Sequence, residues 1–498
     1  YGVSFLFCGW SQRENLFPDF AFRAVGAAVI LAVALRRGAG LLLDQRHARR
    51  VEHAAVAAEN LFHGKFLLLP AQFSLSLLCS EPIVYLCKKA IIKQEFHEIF
   101  VIMTHWRENM TVKERILATL RGEATDVLPF VPRMDIWYNA NSRAGTLPEP
   151  YRNATLRDIL DDLGWGYHSI VPNFADFRTP EGDLDVGLGL YDLKKTPYRI
   201  VLHNVRRTYT REPDTGRLHV RYETPKGDIT TTVVYDENMR RGGITLYVIL
   251  EHAIKSMDDY PAVSYILNNA EVIPDYEAYT QYQREFVGDR GVAVALSAMF
   301  ASPGHYLVKE LMAVDTFYYE MIDNPDEMDE FVESIRPFWQ KLFDAALHSP
   351  AEVVLTGANY DSAVTAPSMF RHYITDELRA QSELLHKAGK FLATHTDGEN
   401  IGILEEYPKA RIDIADSICP APMTKIPLAK TREVFRGSGI TIWGGIPSTS
   451  VLESIMPDQA FYAYMDECFD AIGRGDHMIV SIADTVPPAA SFERLKHI

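Results

Sequence analysis

The stretch Lys390-Phe391-Leu392-Ala393-Thr394-His395-Thr396-Asp397-Gly398-Glu399 changes character midway. Lys390–Thr394 reads as a short buried strand, and a compact set of ionisable side chains follows it. A helical pattern over Pro367–Ala388 precedes the strand, and another over Ile401–Tyr407 comes after it. A strand set between helices belongs to a parallel sheet, because each helix carries the chain back to the side where the next strand begins.

The alternation continues in both directions. Toward the carboxyl end come strand Ile412–Asp416, helix Leu428–Arg436, strand Thr441–Gly444, helix Asp458–Ile472 and strand Met478–Ile482. Toward the amino end, helix Asp326–Leu347 leads to strand Glu352–Ala358, and strand Val292–Met299 leads to helix Tyr306–Ile322. Earlier still, Thr111 and Glu114 form a capping box for helix Val112–Arg121. The apolar run Val127–Met134 suits a buried strand, and helix Thr155–Leu163 is stopped by Gly164 and Gly166.

Between Tyr198 and Tyr235 the period shortens to two. Arg199–His203, Val205–Thr210, Leu218–Glu223 and Ile229–Val234 alternate, with turns at Pro213–Gly216 and Pro225–Gly227. Two early strand–helix units and five or six later ones predict an α/β protein, a (β/α)8 TIM barrel with a small antiparallel β insertion. A doubly wound open sheet is the runner-up. The chain shows no Gly-x-Gly-x-x-Gly after a first strand to support it.

A parallel barrel places its chemistry at the carboxyl ends of its strands. There this chain puts Arg133 and Asp135, Ser302-Pro303-Gly304, Asn359-Tyr360-Asp361-Ser362, His395-Thr396-Asp397, Ser417-Ile418-Cys419-Pro420, Gly445-Ile446-Pro447 and Asp484. His395 and Asp397 suit either metal ligation or general acid–base work; the bland alternative is a hydrogen bond that shapes the loop before Gly398. Asp484 and Asp361 read as functional carboxylates or as turn residues. Arg133 can grip a carboxylate with two parallel hydrogen bonds, or sit in a salt bridge. Tyr360 and Trp137 can line a pocket or simply pack. His305 and His372 read as surface or helix residues, and Cys419 as a small buried side chain.

The 498 residues carry a net charge of −16, with 47% hydrophobic and 23% charged residues. That is a globular composition with room for a large core. No basic stripe offsets the charge, so neither nucleic acid nor an anionic membrane is an expected partner. The five cysteines form no Cys-x-x-Cys pair, which points to a reducing cytoplasmic setting. No methionine precedes Met103, and the apolar stretch Ala24–Leu35 is too short for a bilayer span, which takes roughly 20 residues. Residues 1–109 are expected to be an extension outside the functional domain, with residues 1–102 read as translated upstream sequence and the start at Met103 or Met110. A helical or poorly ordered extension is the alternative.

Taken in order, Leu128–Arg133, Ser302-Pro303, Tyr360-Asp361-Ser362, His395-Thr396-Asp397-Gly398, Gly444-Gly445-Ile446, and Pro487-Pro488 with Phe492-Glu493-Arg494-Leu495 resemble the uroporphyrinogen decarboxylase superfamily. The resemblance runs from about Met110 to Ile498. It implies a (β/α)8 barrel enzyme over 110–498, either a decarboxylase of the haem pathway or a zinc-dependent methyltransferase working with a corrinoid protein or a thiol. In the methyltransferase branch zinc is held by His-x-Cys and a second Cys; here the matching positions are His395, Asp397 and Asp484. That gives a metal set of His395, Asp397 and Asp484, catalytic roles for His395, Asp397 and Asp361, and substrate contacts from Arg133, Tyr360, Ser362 and Trp137. The expected reaction moves a methyl group from a small substrate, with zinc as the cofactor, the corrinoid on a separate protein, and a homodimer allowed. The alternatives are a metal-free decarboxylase using Arg133, Asp361 and Ser362, and a non-catalytic barrel that binds a small ligand.

Overall fold

The computed structural model describes residues 110–498, so the readings made for residues 1–109 lie outside the described residues. The architecture is mixed α/β. Six strands form a parallel sheet in sequence order: β7 (Val294–Ala298), β8 (Val353–Ala358), β9 (Phe391–His395), β10 (Ile414–Asp416), β11 (Thr441–Pro447) and β12 (Met478–Ala483). Nearly every residue in these strands is buried, as expected for a parallel sheet covered on both faces. Helices Pro325–Leu347, Leu428–Val434 and Asp458–Ile472 form close to where the sequence pattern puts them.

Backbone bonds continue beyond both edges of the sheet. Val131 donates to Val480 of β12 at 2.9 Å, and Val480 donates to Pro129 at 2.9 Å. Gly166 then donates to Phe130 at 2.9 Å, and Tyr167 donates to Arg290, just ahead of β7, at 2.7 Å. Val127–Met134 was expected as a strand, but it makes a single parallel bridge, Phe130 to Val480. Pro129 and Pro132 explain the shortfall: neither has an N–H to give to a ladder. A helix not anticipated from the sequence, Asp135–Ala144, follows directly.

The first helix bears out its capping box. Thr111 accepts from the Glu114 N–H at 3.2 Å, and the Glu114 carboxylate accepts from the Thr111 N–H at 2.7 Å. Thr155 caps Leu156–Leu163 in the same way, and Gly164 at φ 66° ends that helix. Three other helices depart from expectation. Tyr306–Ile322 is broken: Pro303–Tyr306 runs into a π-helical turn, Leu307–Leu311, before Val314–Asp323 begins. Met312 between them is extended: its N–H closes the π-helical turn on the Leu307 carbonyl at 2.8 Å, and the Leu311 carbonyl accepts from the Ile254 N–H at 2.9 Å, so the helix does not run on. Pro367–Ala388 divides at Ile374 into Pro367–Tyr373 and Thr375–Lys387. Ile401–Tyr407 becomes a loop and a short helix, Glu406–Ala410, because Gly402 adopts φ +76°.

The antiparallel insertion is a four-stranded sheet of β2 (Arg206–Glu212), β3 (Arg217–Thr224), β4 (Gly227–Val234) and β5 (Val248–Glu251). The expected first member, here β1 (Tyr198–Leu202), does not join it. It pairs with β6 (Ala270–Pro274), since Asn204 at φ 58° turns the chain away before β2. Among the described residues no helix is long and apolar enough to cross a membrane.

Candidate metal centre

β9 ends on His395, and in the next strand Asp416 is its register partner. Neighbours in register on parallel strands put their side chains on the same face. The Asp416 carboxylate accepts from His395 Nδ1 at 2.7 Å, and both side chains are buried. Asp484 follows the end of β12. Its Oδ1 lies 3.3 Å from His395 Nε2 and 3.1 Å from Arg133 Nη1. Asp397 completes the group: one ligand atom each from His395, Asp397 and Asp484 all lie within 4.8 Å of one another.

The loop that carries Asp397 is held from several sides. The Thr396 N–H donates to the Asp416 carbonyl. Asn400 Nδ2 donates to the carbonyls of Thr396 at 2.9 Å and Gly398 at 2.8 Å, and the Tyr407 hydroxyl donates to Asn400 Oδ1 at 2.6 Å. Gly398 sits at φ +104°, where a Cβ would come within 2.9 Å of the Asp361 Cβ. Glycine at that position lets the loop after β9 pack against the loop after β8.

Burial would lower the His395 imidazole, but Asp484 and Asp416 outweigh it and raise it to about 10. Burial and the neighbouring Asp484 raise Asp397 above the ordinary carboxylate range. Burial also works to raise Asp484, but Arg133 and His395 bring it well below that range. Asp484 thus lies between Arg133 and His395, and His395 lies between Asp484 and Asp416.

The residues present fit a metal ion. With zinc–nitrogen and zinc–oxygen bonds of about 2.0–2.2 Å, adjacent ligands of a tetrahedral site lie about 3.3 Å apart. The His395 Nε2 to Asp484 Oδ1 separation is 3.3 Å. The donor set of one imidazole and two carboxylates is one that zinc accepts. His395, Asp397 and Asp484 can therefore hold a metal ion.

The other expected site residues have partners of their own. Asp361 uses both carboxylate oxygens on backbone N–H groups, Ala363 at 2.8 Å and Glu399 at 3.0 Å. The Ser362 N–H donates to the Glu399 carbonyl at 2.7 Å. Tyr360 is fully buried, packs against Phe370 and Tyr407, and shares a 2.7 Å hydrogen bond with Thr394. Trp137 stacks on Phe492 at 5.5 Å. His305 lies in a helix as read, but it is buried, not at the surface, and its Nδ1 accepts from the Ala301 N–H at 3.0 Å. His372 is exposed, and Cys419 is buried. A separate cavity of about 440 Å³ is lined by Asp135, Tyr138, Tyr167, Lys195, Tyr282 and Phe286, among others, and by none of the three candidate ligands.

Two residues at the centre went unnoticed in the sequence, Asp416 and His168. Asp416 was read as the last residue of its strand, and its register with His395 was the missing signal. His168 lies in a segment that is neither helix nor strand and shows no clear period, two residues past Gly166. Its Nε2 sits 3.0 Å from Asp416 Oδ1.

No family model and no curated protein matches the chain. Twenty solved chains match it in structure. One is a methyltransferase from Methanosarcina mazei, 15% identical, with a TM-score of 0.46, covering 78% of this chain and 97% of that one. What the site can do is therefore read from its own residues.

Proposed function

We propose that this chain is a uroporphyrinogen decarboxylase-like enzyme of the cytoplasm, a metal-assisted methyltransferase that moves a methyl group from a small substrate to a corrinoid protein or a thiol. The convergence of His395, Asp397 and Asp484 within 4.8 Å carries this reading. The edge bonds through Phe130, Gly166 and Tyr167 support closing the six-stranded sheet into an eight-membered barrel, with the three residues at its carboxyl mouth. Residues 110–498 are the functional domain in this reading.

His395 Nε2 and one carboxylate oxygen each from Asp397 and Asp484 would hold the metal, with zinc the expected ion. Bound there, it supplies Lewis acidity toward an ether or hydroxyl oxygen of the substrate. The chain's own residues prepare the place. Arg133 offsets the charge of Asp484 at 3.1 Å, and burial of His395 keeps bulk water away from its Nε2. A carboxylate site is harder than one built from thiolates, which favours an oxygen-bound methyl group over a sulfur-bound one.

The metal-free decarboxylase reading draws no comparable support. Arg133 faces Asp484, and Asp361 is occupied by its own turn and by the Glu399 N–H. Metal analysis of the purified protein is the test. About one zinc per chain is expected, or a clear rise in thermal stability on adding zinc. Absence of both would overturn the proposal.

A further inference from the structure

Asp416 is fully buried, and its two oxygens serve two different rings. Oδ2 lies 2.7 Å from His395 Nδ1, and Oδ1 lies 3.0 Å from His168 Nε2. An ionised carboxylate only accepts hydrogen bonds, so both facing ring nitrogens carry hydrogen. His168 is itself held in place. It is 2% exposed, and its ring meets the Trp443 indole edge-on at 5.3 Å. The Trp443 indole N–H in turn donates to the Val131 carbonyl at 3.2 Å.

We propose that His168 is a positioning residue: through Asp416 it fixes the ring of His395 with Nδ1–H toward Asp416 and the Nε2 lone pair toward the metal. The inference rests on the metal reading above. The physical argument is one of rotation and count. A carboxylate held at one oxygen only can swing about its Cβ–Cγ bond, and a second donor at the other oxygen stops it. A His395 ring aligned by a fixed acceptor presents one nitrogen, in one direction. Without His168, Oδ1 would also be left buried without a partner. Partners behind a metal-binding histidine typically contribute 10–100-fold in metal affinity.

The test compares zinc affinity, by chelator competition, in the full chain and two variants. His168→Phe keeps the ring against Trp443 but removes the donor; His168→Gln keeps an N–H donor. Zinc affinity is expected to fall on the order of 10–100-fold in His168→Phe and to stay near wild type in His168→Gln. Equal affinity in wild type and His168→Phe would overturn the inference while leaving the metal site standing. Equal loss in both variants would also overturn it, since shape and not the donor would then matter. If the wild type itself takes no zinc, the metal reading falls and this inference falls with it. Should His168→Phe fail to fold, nitrogen-15 shifts of His395 in zinc-bound wild type decide the matter. Nδ1 protonated and Nε2 metal-bound is the expected state, and metal on Nδ1 would refute it.

Discussion

Gly398 shows how one residue serves the site without touching it. Its φ of +104° and the 2.9 Å approach of the Asp361 Cβ leave no room for a side chain. Gly398→Ala is expected to cost about 1–3 kcal/mol, from strain in a left-handed position and displacement of the adjacent loop. Urea denaturation would read this as a lower midpoint at unchanged slope. The candidate ligands make a sharper prediction. Asp397→Asn and Asp484→Asn keep shape but replace an anionic oxygen ligand, so zinc content should fall below about a tenth of wild type in each. Elemental analysis measures it, and zinc retained in both would remove those two carboxylates from the centre. At this scale the sequence showed His395, Asp397 and Asp484, because polar residues just beyond apolar runs stand out. It did not show that Trp137 and Tyr360 turn into packing, because an aromatic near a strand end looks the same in either role.

The helices and strands obeyed their local signals wherever those signals were strong. The Thr111 and Glu114 capping box formed, and Thr111→Ala should cost about 1 kcal/mol, visible in thermal melts. Val127–Met134 lost most of its ladder to two prolines, a legible feature that its apolar run masked. The break at Met312 depended on a bridge to Ile254, far away in sequence, and could not be read locally. Beside that break lies Glu310, buried in the π-helical turn, with the Tyr191 hydroxyl 3.4 Å away. Burial pushes its carboxyl up to about 7, against the opposing effects of Lys309 and Tyr191. A carboxyl whose folded value is raised stabilises fully below its unfolded value near 4.5, and that stability is lost as the pH rises toward 7. Glu310→Gln lacks this slope. It should gain on wild type as the pH rises through that window, by up to ~3 kcal/mol above it. Melting both proteins across the range checks the sign; a difference that does not change with pH would show that Glu310 is ionised throughout.

For the molecule as a whole, the proposed barrel closure hangs on a few backbone bonds outside the six-stranded sheet. If the sheet closes, the N–H groups of Val131, Gly166 and Tyr167 should resist hydrogen exchange as strongly as those of β10. Fast exchange at all three would leave an open sheet. The proposed domain boundary has its own test. If residues 110–498 are the functional domain, a chain beginning at Met110 should fold and bind zinc as the full chain does, and loss of either would overturn that boundary.

What the sequence by itself determined is what short-range chemistry encodes. Apolar runs of strand length between helical periods gave a parallel α/β protein, and the polar residues after those runs gave three of the central side chains. Only the tertiary structure decided which of those side chains meet. Arg133 and Asp484 are 351 positions apart and form an ion pair, and His168 reaches Asp416 across 248 positions. Contacts of that span depend on strand order and register. These are set by how the whole core packs, so no local pattern around His168 or Asp416 could have announced them.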